Sequence, residues 1–209
     1  CVAGKALADA ATSAPAHDAE ADCIICGSGT FSLEGAATCT NCNAGTFLSD
    51  TGTQASKHES ETNCLVCAKG QWSDAGANEC TNCPAGRFIA DDQTDAGNHN
   101  AQTDCKICSS GSYADAEASS GCKNCVAGKA LADAATSAPA HDGEADCIIC
   151  GSGSWSASGA EVCTKCTVGY FLEDAGTDAE KHESESYCSE CILGQFNSER
   201  GQATCKICS

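Results

Sequence analysis

Cys23-Ile-Ile-Cys-Gly-Ser-Gly-Thr-Phe-Ser-Leu-Glu-Gly-Ala-Ala-Thr-Cys-Thr-Asn-Cys42 recurs in modified form at residues 64–83, 105–125, 147–166 and 188–208. Cysteine-free spans of 21 residues separate the copies, so the period is 41 or 42 residues. A period of that size marks a tandem array of small units. The boundaries expected from it are 1–22 (the end of one unit and its span), 23–63, 64–104, 105–146, 147–187 and 188–209.

Composition says what holds such units together. Each of about 40 residues buries too little apolar surface to offset a backbone entropy cost of roughly 1 to 2 kcal/mol per residue. Aromatic residues are only 5% and methionine is absent, whereas 21 of 209 residues are cysteine. That density belongs to disulfide scaffolds of oxidising, extracellular compartments. The fold class expected is therefore a small disulfide-rich repeat, mostly coil with short two-stranded β pieces, in a linear array of stapled modules. Residues Ala6 to Ala11 have the composition for a turn or two of helix, which Pro15 ends.

Twenty-nine acidic against 11 basic side chains leave a net charge of −18, which repels phosphate backbones and anionic lipid surfaces. Nucleic acid is therefore not an expected partner, and a membrane is reached only through an anchor outside these residues. The acidity is spread over the spans as a hydrated surface, and no stretch has the spacing of a twelve-residue calcium loop.

Residues 2–22 and 126–146 are identical except for Ala19 and Gly143, and 45–61 resembles 169–185, both at an offset of 124. The duplicated unit is thus a triplet of modules, a device that extends length. Cys1 stands where the fourth cysteine of a preceding copy would be, with its partner expected upstream.

The Cys-x-x-Cys pairs alternate between an aliphatic kind (Ile25, Val66, Ile107, Ile149, with Glu190 departing) and a polar kind (Thr40-Asn41, Thr81-Asn82, Lys123-Asn124, Thr164-Lys165). One pair of each kind makes a quartet, and grouping across the short loop leaves only Cys1 over. Four cysteines allow three connectivities, among which sequence does not choose. First with third and second with fourth is the favoured expectation. That joins Cys23 with Cys39 and Cys26 with Cys42, Cys64 with Cys80 and Cys67 with Cys83, Cys105 with Cys122 and Cys108 with Cys125. It also joins Cys147 with Cys163 and Cys150 with Cys166, and Cys188 with Cys205 and Cys191 with Cys208. Each bridge would contribute about 3 kcal/mol on the chain-entropy account. The rival reading, a four-thiolate zinc site, lacks the glycine that zinc knuckles place directly after the second cysteine in all but two of ten pairs. No cofactor is expected.

A glycine stands three residues after each pair, and two residues beyond it comes a ring at Phe31, Phe47, Trp72, Phe88, Tyr113, Trp155, Phe171 and Phe196. One ring packed on each set of bridges would be the minimal core of such a module. His17, His58, His99, His141 and His182 each fall six residues before the next cysteine. With no repeated nucleophile beside them, they are expected to fix the long span by a hydrogen bond against the next module, and no enzymatic activity is expected. Thr12 and Ser13, with their twins Thr136 and Ser137, lie in an alanine- and proline-flanked context that makes them candidate O-glycosylation sites.

The pattern Cys-x-x-Cys-x-x-Gly-x-aromatic-Ser-x-x-Gly-x-x-x-Cys-x-x-Cys, carried best by residues 64–83 with Gly70, Trp72, Ser73 and Gly76, resembles the ephrin-receptor-like cysteine-rich repeat, itself similar to modules of tumour-necrosis-factor receptors. The alanine-, threonine- and serine-rich spans and the triplet duplication resemble the surface immobilisation antigens of ciliates. The fourteen-residue steps Cys108 to Cys122 and Cys191 to Cys205, and Ala6 and Ala130 in place of rings, depart from the pattern. The resemblance implies an extracellular, often lipid-anchored coat protein. The expected function is accordingly a structural cell-surface coat antigen or fibre-forming repeat protein that self-associates into a filament or coat and carries glycans. The alternative is a receptor-type ectodomain that binds a protein or carbohydrate ligand.

Overall fold

The computed structural model describes residues 1–7 and 19–208. Among them, strands of only two residues pair into ten two-stranded sheets, joined by coil and by 3-10 turns of three or four residues. The expected disulfide-rich repeat of short β pieces and coil is thus what the chain forms. Most of the proposed helix lies outside the described residues. Ala6 belongs instead to a strand that pairs with Ile24, and the twin stretch after Lys129–Ala130 has no helix.

One rule generates every sheet. The residue after each repeated glycine and the ring position that follows it form one strand; the two residues inside the next Cys-x-x-Cys form its partner. Across a short loop Thr30–Phe31 pairs with Thr40–Asn41; across a long span Thr46–Phe47 pairs with Leu65–Val66. Every Cys-x-x-Cys is therefore the return strand of a hairpin, whether the loop is long or short.

This overturns the expected disulfide pairing. The bridges run between neighbours in chain order: Cys1–Cys23, Cys26–Cys39, Cys42–Cys64, Cys67–Cys80, Cys83–Cys105, Cys108–Cys122, Cys125–Cys147, Cys150–Cys163, Cys166–Cys188 and Cys191–Cys205. Cys1 has its partner within the chain, and the cysteine left over is Cys208. The reason is the hairpin itself. A turn behind the leading cysteine, closed by the Thr30 N–H on the Gly27 carbonyl, reverses the chain ahead of the outgoing strand, and the leading cysteine is bridged to the cysteine that opens the return strand. The two cysteines of one Cys-x-x-Cys lie three residues apart on a strand of period two, so they face opposite ways and serve different hairpins.

The chain forms two compact units, residues 1–83 with 89–106, and 84–88 with 107–209. Each contains the same small cores. In the first, Phe31 packs on Leu48 and the Cys42–Cys64 bridge, and Trp72 on Ile89 and the Cys83–Cys105 bridge. In the second, Tyr113 packs with Leu131 and Cys125–Cys147, and Trp155 with Leu172 and Cys166–Cys188. The ring of a short loop, one aliphatic residue and the bridge of the following long span thus make one core. Phe47, Phe88 and Phe171, the rings that open the long spans, are outside these four.

Backbone contacts tie successive hairpins together inside each unit. The Gly45 N–H donates to the Ser73 carbonyl and Leu48 N–H to that of Ala77. Gly45, at φ +84°, sits so close to the Ala96 carbonyl that a Cβ would fall on its oxygen. In the second unit Gly128 stands in the same relation to Ala179.

Candidate functional site

The groups with chemical potential are the histidines of the long spans. His58, His99, His141 and His182 are fully buried, the largest fully buried side chains among the described residues; His17 lies outside them. Each ring donates from Nδ1 to the outgoing strand of the short loop before it: to the carbonyls of Thr30, Gln71, Ser112 and Ser154 at 2.6 to 2.7 Å. The same histidine's own carbonyl accepts the N–H two residues further on, at Ser32, Ser73, Ala114 and Ser156. The expectation of a span fixed by hydrogen bonding is met, with the direction reversed: the partner is the preceding short loop, because the span folds back over the outgoing strand of that loop.

The other ring nitrogen meets an aspartate eight residues upstream. Nε2 lies 3.1 Å from Asp91, 3.0 Å from Asp133 and 3.0 Å from Asp174. In the remaining module Asp50 is 3.7 Å away and Nε2 has no hydrogen-bond partner. Each aspartate is held in turn by the threonine three residues on, which donates both hydroxyl and N–H: Thr53 to Asp50, Thr94 to Asp91, Thr136 to Asp133 and Thr177 to Asp174. In the modules of His99, His141 and His182 the ring stands between a carbonyl oxygen on one side and a carboxylate on the other.

These donors set the acidity of the carboxylates. Burial raises Asp91, but the Asp95 N–H, the Thr94 hydroxyl and His99 outweigh it and bring the group down to about 2. The Thr136 hydroxyl and N–H, then His141, lower Asp133 to about 2. His182 first, then the Thr177 N–H, hold Asp174 well below the usual range. At Asp50 burial opposes the donors, yet the two bonds from Thr53 and the charge of His58 still lower it.

The arrangement resembles a catalytic triad in composition and differs from one in wiring. The threonine hydroxyl bonds the carboxylate and not a ring nitrogen. Among the described residues no group of three or more His, Cys, Asp or Glu is placed to hold a metal ion, and the thiols that zinc would need are joined in bridges. The sequence reading did not single out the aspartate and threonine, although their signal was present as Asp-x-x-Thr-x-x-x-x-His in all five spans, beginning at Asp9, Asp50, Asp91, Asp133 and Asp174.

Beside the bracket lies an open recess of about 410 Å³ lined by Leu48, Asp50, Gln54, Lys57, Asn63 and Leu65. Its counterpart of about 400 Å³ is lined by Leu131, Asp133, Ala140, Asp146 and Ile148. The two differ in polar lining, so no shared set of groups converges on a ligand. Of the glycosylation candidates, Thr12 and Ser13 lie outside the described residues. Thr136 and Ser137 are both exposed, but the Thr136 hydroxyl is engaged by Asp133.

Compared with known proteins, the chain matches no family model, and no curated protein matches it at a significant level. What its own residues establish is a cysteine-rich tandem repeat whose bridges indicate an oxidising, extracellular environment. No helix among the described residues is long and apolar enough to cross a membrane.

Proposed function

We propose that this chain is a non-enzymatic structural protein of a cell surface or extracellular fibre, of the kind that ciliate surface immobilisation antigens represent. Its role is mechanical: staples give each hairpin a set shape, repetition gives reach, and acidity with attached glycans gives a hydrated exterior that proteases enter poorly. The observation that carries this reading is the reuse of one architecture in every repeat. The same histidine bracket occupies four described spans, each ring buried and bonded from Nδ1 to the preceding short-loop strand. A receptor that reads a ligand diversifies its modules, whereas here the residues that vary least are those that hold the fold.

The test is quantitative immunogold labelling of intact, unpermeabilised cells that produce the protein. A continuous, dense outer layer supports a coat or fibre. Sparse labelling, together with a saturable soluble ligand recovered on the immobilised chain, would replace it with the receptor reading.

A further inference from the structure

The long span 42–64 of the first unit has neighbours on both sides. His58 bonds the short loop before it, and Gly45 and Leu48 bond the short loop after it at Ser73 and Ala77. The span 125–147 of the second unit is set in the same way, by His141 on Ser112 and by Gly128 and Leu131 on Ser156 and Ala160. Each carries its open recess at the same positions, of about 410 Å³ in the first and about 400 Å³ in the second. A buried leucine, Leu48 or Leu131, and an exposed aliphatic residue, Leu65 or Ile148, line both.

The difference between the two recesses is chemical. Where the second has Ala132, Ala140 and Ala145, the first has Ser49, Lys57 and Thr62; where the second has Asp146, the first has the amide of Asn63. The protein itself leaves most of these groups unused. Lys181, the counterpart of Lys57 in the span 166–188, lies 3.6 Å from Asp174 and 3.8 Å from Asp178. In the span 42–64 Gln54 stands in the place of Asp178, and among the described residues Lys57 has no ion pair and the Gln54 side chain no hydrogen-bond partner. Asn63 accepts the Ser60 N–H at its oxygen and keeps its Nδ2 hydrogens. Asp50, alone among the four described bracket carboxylates, stands off its histidine at 3.7 Å, and the buried Nε2 of His58 has no partner. The carboxylate holds its bonds from Thr53 and has acceptor capacity left on a group that lines the recess.

A ring adjoins these groups. Phe47, half-buried and outside the four cores, lines a second recess of about 290 Å³ with Leu65, Val66 and Gln93. Leu65 belongs to both recesses, so the polar and aromatic parts are contiguous. In the span 125–147 the place of the ring is taken by the buried Ala130. An aromatic ring beside uncommitted amide, ammonium and carboxylate groups is the lining of a small-molecule site, and both recesses fall near the lower end of the range of about 300 to 1,000 Å³ that such sites occupy.

We propose that Phe47, Asp50, Gln54, Lys57 and Asn63 form a binding site for a neutral saccharide of one or two rings. The C–H face of a pyranose packs on Phe47 and Leu65, while its hydroxyls donate to Asp50 and accept from Lys57, Gln54 and Asn63. A net charge of −18 repels polyanionic glycans, which leaves neutral sugars as the class. The site goes beyond the structural role proposed above and does not depend on it: surface labelling decides the coat, saccharide titration the site.

Titration of the oxidised 209-residue chain, made without glycosylation, with cellobiose, maltose, lactose and N,N′-diacetylchitobiose, followed by nitrogen-15 NMR, tests the proposal. The expected result is a saturable shift of the Gln54, Asn63 and Gln93 side-chain amide signals with at least one of the four, at a dissociation constant of about 1 mM or below. The backbone signals of Ala132, Ala140 and Ala145 in the twin recess stay in place. Gln54→Ser with Lys57→Ala, which copies what the twin span carries at 137 and 140, weakens binding at least about tenfold, read at Asn63 and Gln93. Phe47→Ala, which copies position 130, does the same. The first variant alters exposed side chains only, and a thermal melt confirms that each retains the fold. The absence of a saturable shift with any of the four sugars up to about 50 mM would overturn the proposal. So would shifts that both variants leave unchanged, shifts of equal size in the twin recess, or methyl glucuronide binding more tightly than methyl glucoside. The chain isolated with its own glycans separates two sources of the sugar, and both presuppose the site: one already filled there is served by this protein's glycans, one still open by another molecule's.

Discussion

At the residue scale, the histidine bracket adds a buried polar contact to the small apolar cores of these modules. His141 buries its whole ring and meets two acceptors, the Ser112 carbonyl and the Asp133 carboxylate. His141→Ala leaves a cavity and both acceptors unmet, and is expected to cost about 2 to 4 kcal/mol in denaturant unfolding without reductant. His141→Gln, which retains a donor, is expected to cost less; equal losses would mean that the bonds contribute nothing beyond volume. The aspartates give a pH dependence. Asp91 and Asp133, at about 2 when folded against 3.8 ordinarily, bind protons less readily in the folded chain. The stability this confers is fully present above the unfolded value and is lost as pH falls through the folded one. Melting temperature is therefore expected to stay level from neutral pH down to about 4 and to fall towards about 2. Circular dichroism melts across that range check it, and Asp133→Asn should flatten part of the slope.

At the element scale, the two kinds of hairpin differ in how well they shield their staples. Cys42 and Cys64 of a long-span bridge are buried beneath Phe31 and Leu48, while the short-loop bridge Cys67–Cys80 has one buried and one half-buried sulfur residue. Mild reduction followed by alkylation and peptide mapping is expected to open Cys67–Cys80 and Cys150–Cys163 before Cys83–Cys105 and Cys166–Cys188. The reverse order would place the protective packing elsewhere. A second comparison isolates the contact between hairpins. Gly128 and Gly169 share φ +83°, so alanine carries the same backbone strain at both. A Cβ at Gly128 falls on the Ala179 carbonyl, whereas nothing lies near Gly169. Gly128→Ala is expected to be the more destabilising by about 2 kcal/mol or more, as overpacking against backbone that cannot yield. Thermal melts of the two variants decide it.

At the scale of the whole molecule, stability is a sum of small, alike contributions. The packing partners of the strand-opening glycines lie about one repeat onward, and four ring, aliphatic and bridge clusters take the place of a continuous interior. Ten bridges at about 3 kcal/mol each, on the chain-entropy account, outweigh anything those clusters supply. A strong chelator is expected to leave the melting curve unchanged, while a reductant abolishes the transition or lowers it by tens of degrees. A chelator that melted the oxidised chain would require a bound ion that this account does not contain.

The repeat length, the need for sulfur in place of a core, the punctuating glycines and the once-per-repeat histidine were all legible in the residues, because each follows from composition or period. The Asp-x-x-Thr preceding each histidine was equally periodic, yet its meaning rests on a carboxylate eight residues away being turned towards the ring, which period alone does not state. The disulfide pairing was beyond the sequence for a plainer reason. Spacing treats the two Cys-x-x-Cys pairs of a quartet as one closed set, whereas strand pairing sends Cys23 back to Cys1 and Cys26 forward to Cys39. Local patterns determined what each module is made of. Only the tertiary structure decided which neighbour each module is bonded to, because a hydrogen-bonded hairpin, and not the distance along the chain, brings two sulfurs together.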